Sequence, residues 1–346
     1  MNTTSFLGIL AVAFAGLVIG SGAWPMKLMK KFQFEHWWFI GMLTGLMVIP
    51  WLVTLAFCPN AFAAYGSVPL KTLITANLWA AGWGVANILC GLCFVRIGMA
   101  LTGAILTGLG VSIGVTLPMI VKGSGLFKDA ADLTSPAGLT VLGGVAVMLV
   151  GVIFAALAGF GRDRALRKQE QRSGSFFGGL IMTIIAGVLS CGMSLSFVYG
   201  QGPIVEAMKQ QGASDLPATF AVWAVGLLGG SLLNVLYPAY LMTRKKSWGV
   251  LGQSWKELVL SAIIGVNMAI GVVMMGKGMV MLGALGASVG FGIQQASQML
   301  GGQGVGFVSG EWKGVFGKPR HQMYAAIAVL IIAALIMAFG NSLSKV

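Results

Sequence analysis

The chain of 346 residues is 57% hydrophobic and only 9% charged, with a mean hydropathy of +0.88. Since a soluble globular chain carries roughly 25% charged residues, this composition excludes a soluble enzyme and is typical of a polytopic membrane protein. The net charge of +13 would suggest a nucleic-acid partner in a soluble chain. Here the basic residues form short clusters between apolar runs, as cytoplasmic loops do, so we expect no nucleic acid and a lipid bilayer as the surroundings.

A membrane-spanning helix needs about 20 largely apolar residues. Ten such runs are predicted in chain order, at 4–24, 37–58, 71–93, 98–121, 137–160, 175–200, 217–242, 257–276, 279–308 and 323–342. The fold class is therefore all-α with ten transmembrane helices. The ninth run is long and rich in glycine, and its glycines around 301–306 would permit a broken helix.

The distribution of lysine and arginine predicts the orientation. If the N-terminus lies outside the cell, most basic residues fall in inner loops, which places both termini on the periplasmic or extracellular side. The most charged linker, at 161–174, then lies in the cytoplasm. It divides the chain into two sets of five spans, residues 1–160 and 175–346.

A weak internal repeat follows the same division. A shift of 180 residues places the stretch 87–113 on 267–293, and identical residues include the pair Asn87 and Asn267 besides several glycines. The two copies are five spans apart, and because five is odd the second copy enters from the opposite face. Inverted-topology repeats of this kind are typical of alternating-access carriers whose site lies near the membrane midplane.

Neutral polar residues, rather than charges, mark the candidate site. None of the nine acidic residues falls at the centre of a span, and buried charges normally mark ion paths, so we expect a neutral substrate. In the third span Trp79, Trp83 and Asn87 recur every four residues, which places them on one side of a helix. Indole faces and amides suit a sugar. The alternative is that the tryptophans form an interfacial belt and the asparagine joins helices.

The ninth span carries three amides within five residues, Gln294, Gln295 and Gln298, which would make a clamp for hydroxyl groups. Bonding between helices is the alternative. Further substrate-binding candidates are Asn267 and, in the sixth span, Ser194 and Tyr199. Glycines four residues apart, in the pairs Gly16 and Gly20 and Gly110 and Gly114, indicate close helix contact.

Catalysis and cofactors are not supported by any motif. The chain has no Walker A sequence, no Rossmann fingerprint and no Ser/His/Asp constellation, so neither an enzyme nor an ATP-driven pump is predicted. Only two histidines are present, both beside basic loops, which argues against a metal site. The Cys90 and Cys93 pair has redox spacing but lies inside a span, so helix packing is the favoured interpretation.

Three stretches together resemble a known family. They are "WPMKLMKKFQFEHWW" after the first span, "WGVANILCGLCFVRIGMALTGAILTGLGVSIG" across the third and fourth, and "GEWKGVFGKPR" before the last. With the length and span number, they resemble the L-rhamnose–proton symporter family of the drug/metabolite transporter superfamily. The resemblance implies a five-plus-five inverted repeat in the inner membrane and import of a deoxy sugar with a proton. It draws attention to Pro25, Lys27, Glu311 and Trp312 as matching positions.

The family resemblance implies proton coupling, but the residues do not show how a proton would be carried, because the spans offer no carboxylate or histidine at mid-depth. The candidate coupling residues are carboxylates nearer the mouths, Glu35 and Glu311 inside and Glu206 and Asp215 outside. A sodium ion held by a broken helix and uncoupled uniport stay open, as does the export or uniport of another small neutral metabolite. A membrane-embedded structural protein is a further alternative, although it would not need opposed repeats.

Overall fold

The structure is a computed structural model that describes residues 3–97, 99–166 and 176–344, and the regular elements in these ranges are helices. In the first half they are α1 (Thr3–Ser21), α2 (Phe34–Met42), α3 (Ile49–Phe57), α4 (Ala61–Ser67), α5 (Leu70–Ile97), α6 (Met99–Val121) and α7 (Pro136–Ala165). In the second half they are α8 (Phe176–Ser190), α9 (Gly192–Gln210), α10 (Asp215–Gly226), α11 (Leu228–Arg244), α12 (Trp255–Leu282), α13 (Gly286–Val308) and α14 (Lys318–Leu343).

Short irregular segments join some of these helices. A π-helical segment, Leu43–Val48, continues α2 into α3, and 3-10 turns occupy Trp24–Leu28, Gly125–Asp129 and Trp248–Gln253. The predicted linker at 161–174 begins within α7, and its part from residue 167 onward lies outside the described ranges.

Within the described ranges, eight helical stretches are long and apolar enough to cross a membrane. A ninth is added if α10 and α11, which are bent by 55° relative to each other, count as one span. The helix α13 is not among them, because amides and glycines lower the hydropathy of its 23 residues. The chain is thus a polytopic helical membrane protein, and the tenth crossing stays a prediction.

The boundary between the eighth and ninth predicted spans was misplaced. Helix α12 continues to Leu282, and the chain turns at Gly283, whose φ of 86° favours glycine. The break that the glycines around 301–306 would permit is not formed, because α13 is continuous to Val308. There Gly301 packs against the backbone of Leu17 in α1, so it serves close contact rather than a break.

Helices of each half of the chain pack on helices of the other half, and corresponding helices of the two halves make corresponding contacts. The first helix, α1, packs on α12 and α13, while α8, which begins the second half, packs on α5 and α6. Likewise α2 packs on α12, and α11 packs on α5. The last helices of the two halves, α7 and α14, pack on each other.

Loop contacts define two ends of the bundle. At the first, called the basic end, Lys27 contacts Glu311, Lys245 contacts Glu35, and the carboxylate of Glu257 accepts backbone N–H groups at residues 30–32. At the other, called the opposite end, Asn60 donates to Gln211, and the loop after α6 contacts α9. Loops after α1, α7, α11 and α13 therefore share one end, and loops after α3, α6 and α9 share the other.

Candidate functional site

A cavity of about 290 Å³, called the central cavity, lies between helices from both halves of the chain. Its aromatic wall consists of Trp37, Trp38, Trp83 and Phe291, and its polar groups come from Asn87, Ser190, Gln294, Gln295 and Gln298. The remaining wall is aliphatic residues, methionines and the backbone beside Gly22 and Ala23. None of the described residues that line it is charged, so it can hold a small neutral molecule that presents both hydroxyl edges and apolar faces.

The glutamines reach this cavity because α13 lies directly against α1. A Cβ atom at Gly16 would overlap the carbonyl oxygen of Gln294, and one at Gly20 would overlap that of Gln298. The glycine pair predicted from its spacing is therefore confirmed as a close helix contact. The second pair behaves alike, with Gly114 placed against the ring of Phe291.

Two of the three glutamines already hydrogen-bond each other. The side-chain amide of Gln294, which is 3% exposed, donates to Oε1 of Gln298 at 2.7 Å. This bond lies within α13 and joins residues one turn apart, so it orients both amides without tying them to another helix. The remaining donors and acceptors of these two side chains, and the half-buried Gln295, are available to a ligand.

The two asparagines of the internal repeat both bond across helices. Asn87 donates from Nδ2 to Oδ1 of Asn234 at 3.1 Å, which joins α5 to α11. Asn267 donates to the carbonyl oxygen of Gly22 at 3.3 Å and so supports the cavity wall from behind. Asn87 thus combines both interpretations made from sequence, because it joins helices and also lines the cavity.

Four predicted substrate-binding residues do not line the central cavity. Asn267 lies behind its wall, and Trp79 is half-buried with its carbonyl against Gly192. Ser194 is fully buried in α9 with no hydrogen-bond partner for its hydroxyl. Tyr199 is half-buried, and its carbonyl oxygen accepts a bond from Ser124.

Sequence reasoning missed the contribution of α2. Trp37 and Trp38 line the cavity from its first turns, and their rings are 5.5 Å apart in an edge arrangement. The signal was the consecutive pair in "EHWWF", since adjacent tryptophans at the start of a span exceed what one interfacial anchor needs. Their position shows that the cavity extends from the middle of α5 and α13 to the basic end.

A second cavity of about 360 Å³, called the side cavity, lies next to the first along α6 and α13. Leu106 and Gln298 belong to the central cavity, and the adjacent residues Thr107 and Met299 belong to the side cavity. The side cavity is polar and charged at one place, where it meets Gln303, Arg162, Glu311 and Trp312.

Glu311 joins three separate elements at the basic end. Its carboxylate contacts Nζ of Lys27 at 2.5 Å, just after α1, and Nη1 of Arg162 at 3.1 Å, near the end of α7. The guanidinium of Arg162 also lies over the ring of Trp312, 5.6 Å from its centroid, and pairs with Asp163. Three of the four residues that the family resemblance singled out therefore meet in one cluster.

The other candidate coupling residues lie apart from both cavities. Glu35 is 2% exposed and pairs with Lys245 at 2.8 Å at the basic end. Glu206 and Asp215 are exposed at the opposite end, and Asp215 pairs with Lys209. Among the described residues, no group of three or more His, Cys, Asp or Glu side chains could hold a metal ion.

Comparison with known proteins gives a consistent result along the whole chain. The profile of the family described as "L-rhamnose-proton symport protein (RhaT)" matches residues 1–343. L-rhamnose-proton symporters of Yersinia pestis (strain Pestoides F) and Yersinia pseudotuberculosis (serotype O:1b, strain IP 31758) are each 27% identical over 349 residues, covering 98% of this chain and 99% of the relative. A third, from Yersinia pestis bv. Antiqua (strain Antiqua), is 30% identical over 68% of the chain and 67% of the relative.

Proposed function

The chain belongs to the L-rhamnose-proton symporter family, a family of transporters rather than enzymes. We therefore propose that it imports a neutral sugar together with a proton, and that this sugar is L-rhamnose. The carrier lies in the inner membrane of the cell and works by alternating access to its two sides. The central cavity is the binding site, and Trp37 and Trp38 line it on the side towards the basic end.

The observation that carries the proposal is the chemistry of the cavity wall. Tryptophan rings stack on the C–H face of a sugar, while amides donate to and accept from its hydroxyl groups. The volume of about 290 Å³ is at the lower limit of small-molecule pockets, roughly 300–1,000 Å³, and so suits a monosaccharide better than an oligosaccharide. A charged metabolite would find no counter-charge among the described residues of the wall.

The proposed architecture is ten spans in two inverted halves, 1–160 and 175–346, joined by a cytoplasmic linker at 161–174. Helices at corresponding places support it by their lengths, since α5 and α12 each have 28 residues and α6 and α13 each have 23. The reciprocal packing of each half's first helix on the other half's third and fourth spans is what a two-fold axis in the membrane plane would produce. The basic end is cytoplasmic by the positive-inside rule, and both termini are then outside.

For coupling we favour Glu311 among the four candidate carboxylates, because it alone lines a cavity that adjoins the binding site. When ionised it holds Lys27 and Arg162, and protonation would release both. Changing Glu311 to Gln should therefore abolish accumulation driven by a proton gradient, whereas exchange of internal for external sugar continues because it needs no net proton release. The Asp215→Asn variant, which alters an exposed acid at the opposite end, is the control.

Purified protein in liposomes tests the function itself. With the membrane potential clamped, labelled L-rhamnose should accumulate under an inward proton gradient and not under a sodium gradient. Accumulation under a sodium gradient alone would identify sodium as the coupling ion. Equilibration without accumulation under either gradient would indicate a uniporter. Absence of any L-rhamnose flux, with flux of another neutral sugar or an amino acid, would assign a different substrate.

A further inference from the structure

Three buried rings, Phe127, Phe197 and Trp223, pack on one another towards the opposite end of the bundle. Each is at most 1% exposed. Phe197 and Trp223 stack with centroids 4.8 Å apart and planes inclined by 16°, and Phe127 lies 6.2 Å from Phe197. This layer, called the three-ring layer, brings together the turn after α6, α9 and α10.

The three-ring layer is continuous with the central cavity along α9. Met193 lines the cavity, and Phe197 lies one helical turn further towards the opposite end. Gln201 follows after another turn, beside the turn that contains Gly125. Residues four apart share a side of a helix, so one stripe of α9 leads from the cavity to the opposite end.

Three of the buried polar atoms without partners lie on or beside this stripe. The hydroxyl of Ser194, Oε1 of Gln201 and Nε1 of Trp223 are buried without a hydrogen-bond partner, and these side chains are 0%, 6% and 1% exposed. A buried polar atom without a partner destabilises a fold, so each such group in a native structure needs a reason. Neighbouring Ser196 is different, since its hydroxyl donates to the carbonyl oxygen of Gly226 at 2.7 Å.

We propose that Ser194, Gln201 and Trp223 line the outer half of the substrate path, and that the three-ring layer is the gate that closes this half in the present conformation. When the gate opens, these donors and acceptors face water and the hydroxyl groups of the passing sugar. The proposal rests on the proposed transport function and adds the residues of a second stretch of the path, separate from the central cavity.

Two serines on α9 offer a matched comparison. Changing Ser194 to Ala removes a hydroxyl that has no partner in the closed state, so the melting temperature should stay or rise, while sugar transport should slow about three- to tenfold. Changing Ser196 to Ala removes a satisfied bond and should lower the melting temperature. Transport by Ser194→Ala at the unmodified rate, or a fall in melting temperature like that of Ser196→Ala, would overturn the proposal.

Thiol labelling tests the path directly. With the four native cysteines replaced by serine, the Ser194→Cys and Gln201→Cys variants should react with a membrane-impermeant maleimide applied to the outer face of vesicles that transport L-rhamnose. The Leu195→Cys variant, equally buried one residue further along, should not react. Phe197→Leu, introduced beside Ser194→Cys, should increase the labelling rate because it removes the ring stack.

The outcomes separate the two proposals. Failure of both stripe variants to react while they still transport sugar would overturn the outer path and leave the transport function standing. An unchanged labelling rate in the Phe197→Leu background would overturn the gate. Absence of sugar flux in the unmodified protein would instead contradict the transport function.

Discussion

Hydrogen bonds within the wall of the proposed site determine which amide donors and acceptors remain for a sugar. Gln294 and Gln298 hydrogen-bond each other, and Asn87 bonds to Asn234, so these three cavity amides are already oriented before a sugar binds. A hydroxyl group then bonds to the remaining donors and acceptors without ordering a mobile side chain, which reduces the entropy lost on binding.

Alanine at Asn87, Gln294 or Gln295 should weaken sugar binding. Loss of one neutral hydrogen bond typically costs roughly 0.5–1.5 kcal/mol, which corresponds to about a three- to tenfold rise in Kd. Equilibrium binding in detergent measures it, and Gln210→Ala, at the exposed end of α9, serves as the control. Unchanged Kd in all three cavity variants would move the site elsewhere.

Trp83 should act through its ring. It is 8% exposed and packs on the backbone of Gly230, so its face is held in place on the cavity wall. We expect Trp83→Phe to keep more transport than Trp83→Ala, since stacking survives in the first, and we expect sugar to alter tryptophan fluorescence. Equal losses in initial uptake rates would point to the indole N–H or to packing instead.

At the scale of helices, the contact between α1 and α13 supports the site. Alanine at Gly20 would bring its Cβ against the backbone of Gln298, and overpacking of this kind costs about 1–3 kcal/mol. The Gly20→Ala variant should therefore melt at a lower temperature and bind sugar more weakly. Gly91→Ala is the control, because nothing lies within 4 Å of its Cβ position. A Gly20→Ala protein as stable as the control would show that α1 can shift freely.

Contacts between helices could be predicted from the sequence only where a regular spacing of residues indicated them. The spacing of Gly16 and Gly20 did so, and apolar runs located the helices. The break between α10 and α11 could not be predicted, because a side chain from another helix stabilises it. Asn77 in α5 donates to the carbonyl of Val225 and accepts from the N–H of Gly229, which replaces bonds that a continuous helix would make. The cavity role of Trp37 likewise depends on how α2 packs.

For the whole molecule, the proposed ten-span arrangement predicts the side of the membrane on which each loop lies. A cysteine introduced at Ser214, between α9 and α10, should react with an impermeant thiol reagent in intact cells. One introduced at Gln253, just before α12, should react only after permeabilisation. Both positions are at the surface, so accessibility reports sidedness. Reaction of both from the same side would contradict the alternation of the loops.

The described lining of the central cavity carries no charged side chain, and this has an energetic consequence for the loaded carrier. A neutral sugar in a neutral site moves no charge across the membrane, so the voltage acts on the accompanying proton alone. A potential of 100 mV does about 2.3 kcal/mol of work on one elementary charge. At about 1.4 kcal/mol for each factor of ten, one proton per sugar sets an upper limit of about fiftyfold accumulation from that potential. The steady-state ratio of internal to external sugar under a known voltage therefore counts the protons that move with each molecule.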